Sequence, residues 1–283
     1  MTSVENTNRA DFKKTDVGWI PDYWEIVKLA EICEVKGGKR LPKGFALLKT
    51  PNSHPYIRVA DMENGSVSLK NILYVPDEIW PTIKNYTISS NDLYISVAGS
   101  LGMVGKIPAQ LENANLTENA DKLTKIQAHI DFLYHVLSSS IVQKHIDGVR
   151  TTSAQPKLAL ERIRAFKIPY PPLTEQAKIA RILSTWDHAI ERVQRLIEAK
   201  QRQKKGLMQG LLTGRLRFPE FGGAIEERGN IPDGWKTVEF HECATRLNKK
   251  IDPAMNDFNF RCIELEHISQ ETGKIIGETE SKQ

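Results

Sequence analysis

The chain has 283 residues, a mass of 32.0 kDa and a formal net charge of +4, with 40% apolar and 26% charged residues. This balance is that of an ordinary globular protein and excludes collagen-like chains, small disulfide scaffolds and bulk disorder. No run reaches the roughly 18 apolar residues of a membrane span, and residues 1–16 lack the apolar segment of a secretory signal peptide. Three widely spaced cysteines are typical of free thiols in a reducing compartment. We therefore expect a cytoplasmic protein with no membrane partner.

The first two thirds of the chain predict a polar tail followed by one mixed α/β domain. The tail covers residues 1–17 and the domain residues 18–172. Runs rich in Val, Ile and Tyr, separated by glycine-containing turns, predict strands at 56–59, 93–97 and 123–126. Apolar residues at helical spacing predict one amphipathic helix over residues 131–147, which Gly148 would end.

Residues 173–217 predict a long helix of coiled-coil type. Thr174 is the predicted N-cap and Gly214 the predicted C-terminal stop. Apolar residues recur there at heptad spacing, which predicts packing against another helix. They are Ile179, Ile182, Trp186, Ile190, Val193 and Leu196. About 40 helical residues would span roughly 60 Å, which favours a spacer over an ordinary core helix.

The same segment carries the largest excess of positive over negative charge. It has ten Lys/Arg and four Asp/Glu, whereas residues 218–283 have eight and 13. A basic stripe is typical of a protein that binds nucleic acid, although a solvated helix face would give the same count.

The chain contains an internal duplication. The sequence GWIPDYW at 18–24 returns as GNIPDGW at 229–235, an offset of 211 residues, and residues 56–62 find a weaker echo at 262–268. Residues 218–228 then form a linker, and residues 229–283 begin a second copy of the domain. With 55 residues against 155, this second copy is too short to bury a full core and is expected to be incomplete.

Two loops are candidates for binding a sugar-phosphate backbone. One is a basic glycine-rich loop at residues 36–44, and the other, at residues 148–155, carries hydroxyl, amide and guanidinium groups. The candidate DNA-binding residues are Lys39, Arg40, Lys43, Arg150, Thr151, Thr152 and Gln155, with Arg58 and Ser100 as weaker candidates. Ordinary surface loops are the alternative interpretation for both segments.

Catalytic and metal-binding patterns are weak. Asp22, Glu34 and Lys36 have the form of a magnesium-dependent nuclease site. The second copy keeps the aspartate but has Thr245 and Leu247 at the other two positions, so a turn is favoured over a nuclease. Zinc-ligand spacings and phosphate-binding glycine motifs are absent from the sequence. We predict no catalytic residues, no metal site and no cofactor in this chain.

Four motifs together resemble the DNA-specificity subunit of type I restriction–modification systems. They are GWIPDYW at 18–24, YIRVADMENG at 56–65, TTSAQ at 151–155 and IPYPPLTEQ at 168–176, which leads into the long helix. The resemblance implies a target-recognition domain followed by a spacer helix, with two such helices packed antiparallel between two half-sites on double-stranded DNA. It also implies an adenine methyltransferase partner that uses S-adenosylmethionine and a restriction partner that uses ATP and Mg²⁺.

The resemblance leads to three expectations about this chain. It should recognise one half of a bipartite DNA target and be inert by itself. Because one complete recognition domain and one long helix are seen, two chains should pair through that helix, or the chain should be part of a longer subunit. A magnesium-dependent nuclease and a helical scaffold that does not bind DNA remain the alternatives.

Overall fold

The computed structural model describes residues 11–150, 156–222, 231–247, 261–270 and 272–280. The chain divides into two compact units, a first unit of residues 1–198 and a second unit of residues 199–283. Within the described ranges, each helix is either too short or too polar to cross a membrane.

The first unit alternates short strands with short helices and ends in a long one, which continues into the second unit. In chain order the elements are β1 (Phe12–Thr15), β2 (Gly18–Pro21), β3 (Glu25–Lys28), α1 (Leu29–Ile32), β4 (Glu34–Gly37), β5 (Pro55–Ile57), β6 (Met62–Glu63), β7 (Ser66–Val67), β8 (Leu73–Tyr74), α2 (Trp80–Ile83), β9 (Thr87–Ile88), β10 (Leu93–Ser96), β11 (Val104–Lys106), β12 (Ala114–Leu116), β13 (Ala120–Thr124), α3 (Ile130–Ser138), α4 (Ser140–Arg150), α5 (Leu160–Arg164), β14 (Lys167–Tyr170) and α6 (Leu173–Leu212).

Two four-stranded sheets organise this unit. The first has the strand order β11-β10-β13-β4 and is antiparallel throughout, with Leu93 opposite Leu123 at its centre. The second has the order β8-β5-β12-β9, and its β5–β12 pair is parallel. The mixed α/β class is thus confirmed, and the strand predicted at 93–97 is β10. The strand predicted at 123–126 begins earlier, as β13, and ends at Thr124, because Lys125 has φ +52°, outside the extended range.

The main core lies where the helices cover the first sheet. Leu29 of α1, Leu133 and Leu137 of α3 and Ile146 of α4 pack with Leu123 and its neighbours, and all are fully buried. Burial of such side chains stabilises the fold by roughly 1.5–3 kcal/mol each. A second core cluster includes Ile57, Tyr94 and Leu116.

Three local predictions differ from the structure. The predicted polar tail contains β1, which forms a hairpin with β2. The predicted helix over 131–147 is two helices, α3 and α4, separated by Ser139. The Ser139 hydroxyl donates to the Val136 carbonyl at 2.7 Å and its amide donates to the same carbonyl at 3.1 Å, which ends α3. The second helix also continues past Gly148 to Arg150.

The predicted strand at 56–59 ends at Ile57. A 3₁₀ turn, Val59–Asp61, follows because the Asp61 carboxylate accepts the Arg58 backbone N–H at 2.9 Å. This bond bends the chain away from the extended path that β-branched residues favour.

The long helix is confirmed as α6, with bounds close to those predicted. It begins one residue before Thr174, so Thr174 lies in the first turn and is not the N-cap. The Pro172 carbonyl instead accepts the N–H groups of Glu175 and Gln176. Gly214 follows the helix with φ +75°, which favours glycine. Ile179 is half-buried against the main core, so this member of the predicted helix–helix stripe serves its own domain.

The described part of the second unit beyond α6 holds short elements only. They are α7 (Phe240–Cys243), β15 (Arg261–Cys262) and β16 (Thr279–Glu280), together with 3₁₀ turns at Pro219–Phe221 and Leu265–His267.

Candidate nucleic-acid interface

The basic loop begins at the end of β4, where its backbone is fixed to the turn between β12 and β13. The Gly38 N–H donates to the Ala120 carbonyl at 3.1 Å, and the Lys39 N–H donates to the Leu116 carbonyl at 2.8 Å. A Cβ atom on Gly38 would lie 2.1 Å from the Thr117 carbonyl oxygen, so only glycine allows this close approach.

The loop presents its cations from this fixed base. The Arg40 guanidinium pairs with Glu118 at 2.9 Å while most of its side chain stays exposed. The Lys39 ammonium lies 5.7 Å from the centre of the Tyr86 ring, a cation–π contact. Lys43 is exposed, beside Gly44 with φ +90°. Pairs between exposed charges are weak, so these cations can exchange their partners for phosphates at little cost.

The β12–β13 turn, residues 117–119, joins three loops that are distant in sequence. Besides anchoring the basic loop, the turn binds the backbone next to Arg58, because the Thr117 N–H donates to the Ile57 carbonyl at 3.1 Å. The turn also binds the start of the loop that leads to Ser100, because the Asn119 carbonyl accepts the Val97 N–H at 2.8 Å. The structure therefore brings the neighbourhoods of Lys39, Arg58 and Ser100 to one edge of the fold.

Two residues of this turn, Glu118 and Asn119, were missed by the sequence reasoning. Both are partly exposed, and the Asn119 N–H is held by the Thr117 hydroxyl at 3.4 Å. A turn composition rich in Asn, Thr and Glu is common, so no signal in the sequence distinguished this turn from others.

Arg58 is committed to an internal contact. Its guanidinium donates to Asp61 at 2.8 and 2.6 Å and to the Asn71 carbonyl at 2.9 Å. Asp61 is buried, and its carboxylate raises the pKa of the guanidinium. A role for Arg58 at DNA stays a prediction, but its observed contacts fix the turn beside the interface.

Ser100 lies on the rim of a cavity of about 390 Å³, whose polar lining includes Asn64, Tyr134 and Gln143. The Ser100 carbonyl accepts the Ser96 hydroxyl, which holds the loop against β10. This cavity lies beside the edge described above and offers amide and hydroxyl groups.

The second predicted loop is described only at its ends. Arg150 is the last residue of α4, and Thr151, Thr152 and Gln155 lie outside the described residues. Beyond them, the Leu158 N–H donates to the Val97 carbonyl at 2.9 Å, which returns the chain to the same edge.

A buried carboxyl group lies close to this return. Burial raises the pKa of Asp121 to about 6, although the charges of Lys157 and Arg164 act in the opposite direction. Asp121 is on β13, immediately after the 117–119 turn. The sequence reasoning did not identify it, because its burial follows from pairing with two neighbouring strands.

Two residues of the nuclease hypothesis, Glu34 and Lys36, form an ion pair with each other. Glu34 pairs with Lys36 at 2.6 Å and with Lys125, and these two lysines lower its pKa to about 2. Over the described ranges, His, Cys, Asp and Glu side chains form no group of three that could hold a metal ion.

Comparison with known proteins identifies the family. Residues 21–201 match the model of the type I restriction modification DNA specificity domain. A Methanocaldococcus jannaschii protein named as the specificity subunit of the type I restriction enzyme MjaX is 28% identical, over 81% of this chain and 54% of that protein. The EcoKI specificity subunit of Escherichia coli K12 is 23% identical, over 85% of this chain and 52% of its own length. The chain thus spans about half the length of these curated relatives.

The fold has a solved counterpart. A chain from a structure that concerns complex assembly and conformational transition of the type I R-M system superposes with a TM-score of 0.51 at 18% identity, over 68% of this chain and 45% of that one. This likeness concerns the fold alone, whereas the family model covers more than half of the chain. The chain belongs to the type I restriction–modification DNA specificity family.

Proposed function

We propose that this chain recognises one half of a bipartite double-stranded DNA target for a type I restriction–modification complex. The observation that carries the proposal is the convergence of the basic loop and of the segments beside Arg58 and Ser100 on the 117–119 turn. There, Lys39 and Arg40 supply positive charge close to Asn119, and the exposed Lys43 adds a third cation to the same loop. Lysine and arginine neutralise phosphates, which provides most of the affinity for DNA, and an asparagine amide can pair with the major-groove edge of adenine. The chain would act in the cytoplasm.

The proposed protein partners are the methyltransferase and the ATP-dependent restriction subunit, which would hold S-adenosylmethionine, ATP and Mg²⁺. The exposed apolar surface of α6 supports such docking because it is wider than the surface that one packed helix would cover. Ile182, Trp186 and Val193 form one exposed seam at heptad spacing, and Leu183 and Ile190 form a second seam beside it. One helix partner covers a single seam, so the second is free for helices of the methyltransferase.

We assign the first seam to α6 of a second copy of this chain, packed antiparallel. Residues 173–191 carry two cations and three anions, whereas residues 192–212 carry six cations and one anion. Parallel pairing would bring the two strongly basic ends together, while antiparallel pairing sets each against the weakly acidic half of the other helix. Such a two-fold contact would present two identical recognition domains to a palindromic two-part target.

Methylation mapping tests the DNA-recognition proposal. The chain, co-purified with its methyltransferase, should direct methylation to one defined sequence. Asn119→Ala should relax discrimination at one base pair by about tenfold and leave the salt dependence of binding unchanged, because a base contact and not a phosphate contact is lost. Cleavage of plasmid by the chain alone with Mg²⁺, abolished by Glu34→Ala, would instead support the nuclease. Methylation unaffected by the presence of the chain would support a scaffold.

Light scattering tests the pairing of helices. Val193→Glu should convert a dimer of the chain to a monomer, because it buries a charge in the seam. The matched control is His188→Glu, which introduces the same side chain at an exposed position of α6 outside both seams. This variant should leave the dimer intact. A wild-type monomer, or a methylated site whose two halves are unrelated in sequence, would contradict the pairing.

A further inference from the structure

The motif LTEQ at the start of α6 is not explained by contact with DNA, and its last two residues, Glu175 and Gln176, make specific internal bonds. The Glu175 carboxylate accepts the Trp24 indole N–H at 3.1 Å and the Tyr23 hydroxyl at 3.2 Å. Trp24 and Tyr23 belong to the duplicated segment at 18–24, which lies about 150 positions away in sequence. A charged acceptor makes these bonds stronger than bonds between neutral groups.

Gln176 makes the second contact and is completely buried. Its side-chain oxygen accepts the His129 backbone N–H at 2.8 Å, where α3 begins, and its side-chain nitrogen donates to the Pro171 carbonyl at 2.8 Å. A buried amide with both ends bonded fixes the rotation of the helix about its own axis, because neither bond survives a turn of the helix.

The next two turns of α6 complete the attachment. Ala180 is buried and Ile179 half-buried against the main core. One turn later, the His135 ring of α3 approaches the Ser184 hydroxyl at 3.3 Å. From Thr185 to Gln209 every residue of α6 is exposed. Asp187 still reaches the His135 ring at 3.8 Å, so the contacts of α6 with α3 and with the segment at 18–24 lie in its first fifteen residues.

We propose that Glu175 and Gln176 are positioning residues that fix the tilt of α6 on the recognition domain and thereby set the number of base pairs between the two recognised halves of the target. This inference rests on the proposed function. The observation behind it is that one carboxylate and one buried amide tie the helix to two separate elements, the segment at 18–24 and the start of α3.

The required accuracy follows from geometry. A helix of 40 residues is about 60 Å long, so a tilt of about 5° at its start displaces its far end by about 5 Å. One inserted base pair moves a DNA half-site by about 3.4 Å and rotates it by about 35°. A joint that is loose by a few degrees would therefore accept spacers that a rigid joint rejects.

The test measures methylation of a series of duplexes whose spacers differ by single base pairs, using the complete complex. Trp24→Phe removes the indole N–H but keeps an aromatic ring, Glu175→Ala removes the acceptor, and Gln176→Ala removes both buried bonds. The control is Ile163→Val, which loosens the core of the first unit at a fully buried position in α5. Thermal unfolding of each variant checks that it is folded.

The wild-type complex should methylate its best spacer about tenfold faster than spacers one base pair longer or shorter. In folded Trp24→Phe, Glu175→Ala and Gln176→Ala complexes this preference should fall to about threefold or less, while base preference within each half is kept. A purely structural role would slow methylation equally on every spacer, and that result would overturn the inference. Equal broadening by Ile163→Val would overturn it as well. If the wild-type complex methylates none of the duplexes, the proposed function itself fails.

Discussion

The two copies of the duplicated segment adopt the same local turns in very different surroundings. The Trp24 backbone N–H donates to the Pro21 carbonyl at 3.0 Å, and the Trp235 backbone N–H donates to the Pro232 carbonyl at the same distance. Four-residue helices then follow at the same offset of 211 residues, α1 in the first copy and α7 in the second. Short sequence patterns therefore determine these elements without help from the rest of the domain.

The weaker echo is also confirmed in the backbone. In the first copy, Asp61 accepts the Arg58 N–H at 2.9 Å and closes the 3₁₀ turn Val59–Asp61. In the second copy, the His267 ring nitrogen accepts the Glu264 N–H at 3.0 Å and closes the turn Leu265–His267. A different side chain thus makes the same cap.

Burial separates the two copies. Ile20 is 5% exposed, but its counterpart Ile231 is 56% exposed, and Ile57 is 0% exposed against 48% for Ile263. Among the described residues of the second copy only Pro232 is buried. The comparison shows that local hydrogen bonds form these turns, whereas the apolar positions gain stability only where other strands and helices cover them.

The largest expected difference between the copies is in stability. Ile57→Ala should lower the unfolding free energy of the first unit by about 2–5 kcal/mol, because it leaves a cavity in a closed core. The matched Ile263→Ala should change it by less than about 0.5 kcal/mol. Urea unfolding followed by circular dichroism measures both. Equal losses would show that the second copy is also buried in solution.

The next effect is the pH dependence created by the buried Asp121. Its pKa of about 6 lies above the ordinary value, so the folded state holds more protons than the unfolded state between about pH 4 and 6, and stability falls as pH rises through this range. The loss approaches about 2–3 kcal/mol above pH 6.

Asp121→Asn should remove this fall, since an amide does not titrate. Asp233→Asn, at an exposed position of the second copy, is the control and should leave the pH profile unchanged. Urea unfolding at several pH values between 4 and 8 gives the profiles. Identical curves for wild type and Asp121→Asn would contradict the burial of this charge.

A smaller effect concerns DNA affinity. Replacing Lys39, Arg40 and Lys43 by alanine should weaken binding about tenfold on all sequences and reduce the slope of log affinity against log salt by up to about one for each lost phosphate contact. Alanine at Lys236 and Lys274, exposed cations of the second copy, should leave the slope as it is. Fluorescence anisotropy at several salt concentrations decides between these outcomes, and an unchanged slope in the triple variant would show that the loop faces away from DNA.

The smallest effect is expected at the two caps. Asp61→Ala should cost about 1 kcal/mol or somewhat more, because Arg58 loses its buried partner. His267→Ala should leave the unfolding free energy of the first unit unchanged, since a turn with few buried neighbours contributes little to it. Thermal unfolding of the two variants tests this pair, and a measurable loss in His267→Ala would mean that the second copy stabilises the first unit.

The sequence by itself determined the features that arise from short-range patterns. Heptad spacing predicted α6, runs rich in Val, Ile and Tyr predicted β10 and the end of β13, and the repeated motif predicted equivalent turns in both copies. Each of these signals is a run of about four to forty consecutive residues, so local composition and spacing are enough to reveal it. The family resemblance also followed from short motifs and their order.

Only the tertiary structure decided which residues meet at the candidate interface. The Gly38 loop and the 117–119 turn are about 80 positions apart in sequence and are joined by backbone hydrogen bonds, which carry no side-chain pattern. The charge of Arg58 suggested a contact with DNA, but its guanidinium binds Asp61. Gln176 is polar, and nothing in the sequence indicated that it is buried. Long-range contacts depend on how strands pair and helices cover them, and local sequence does not encode that arrangement.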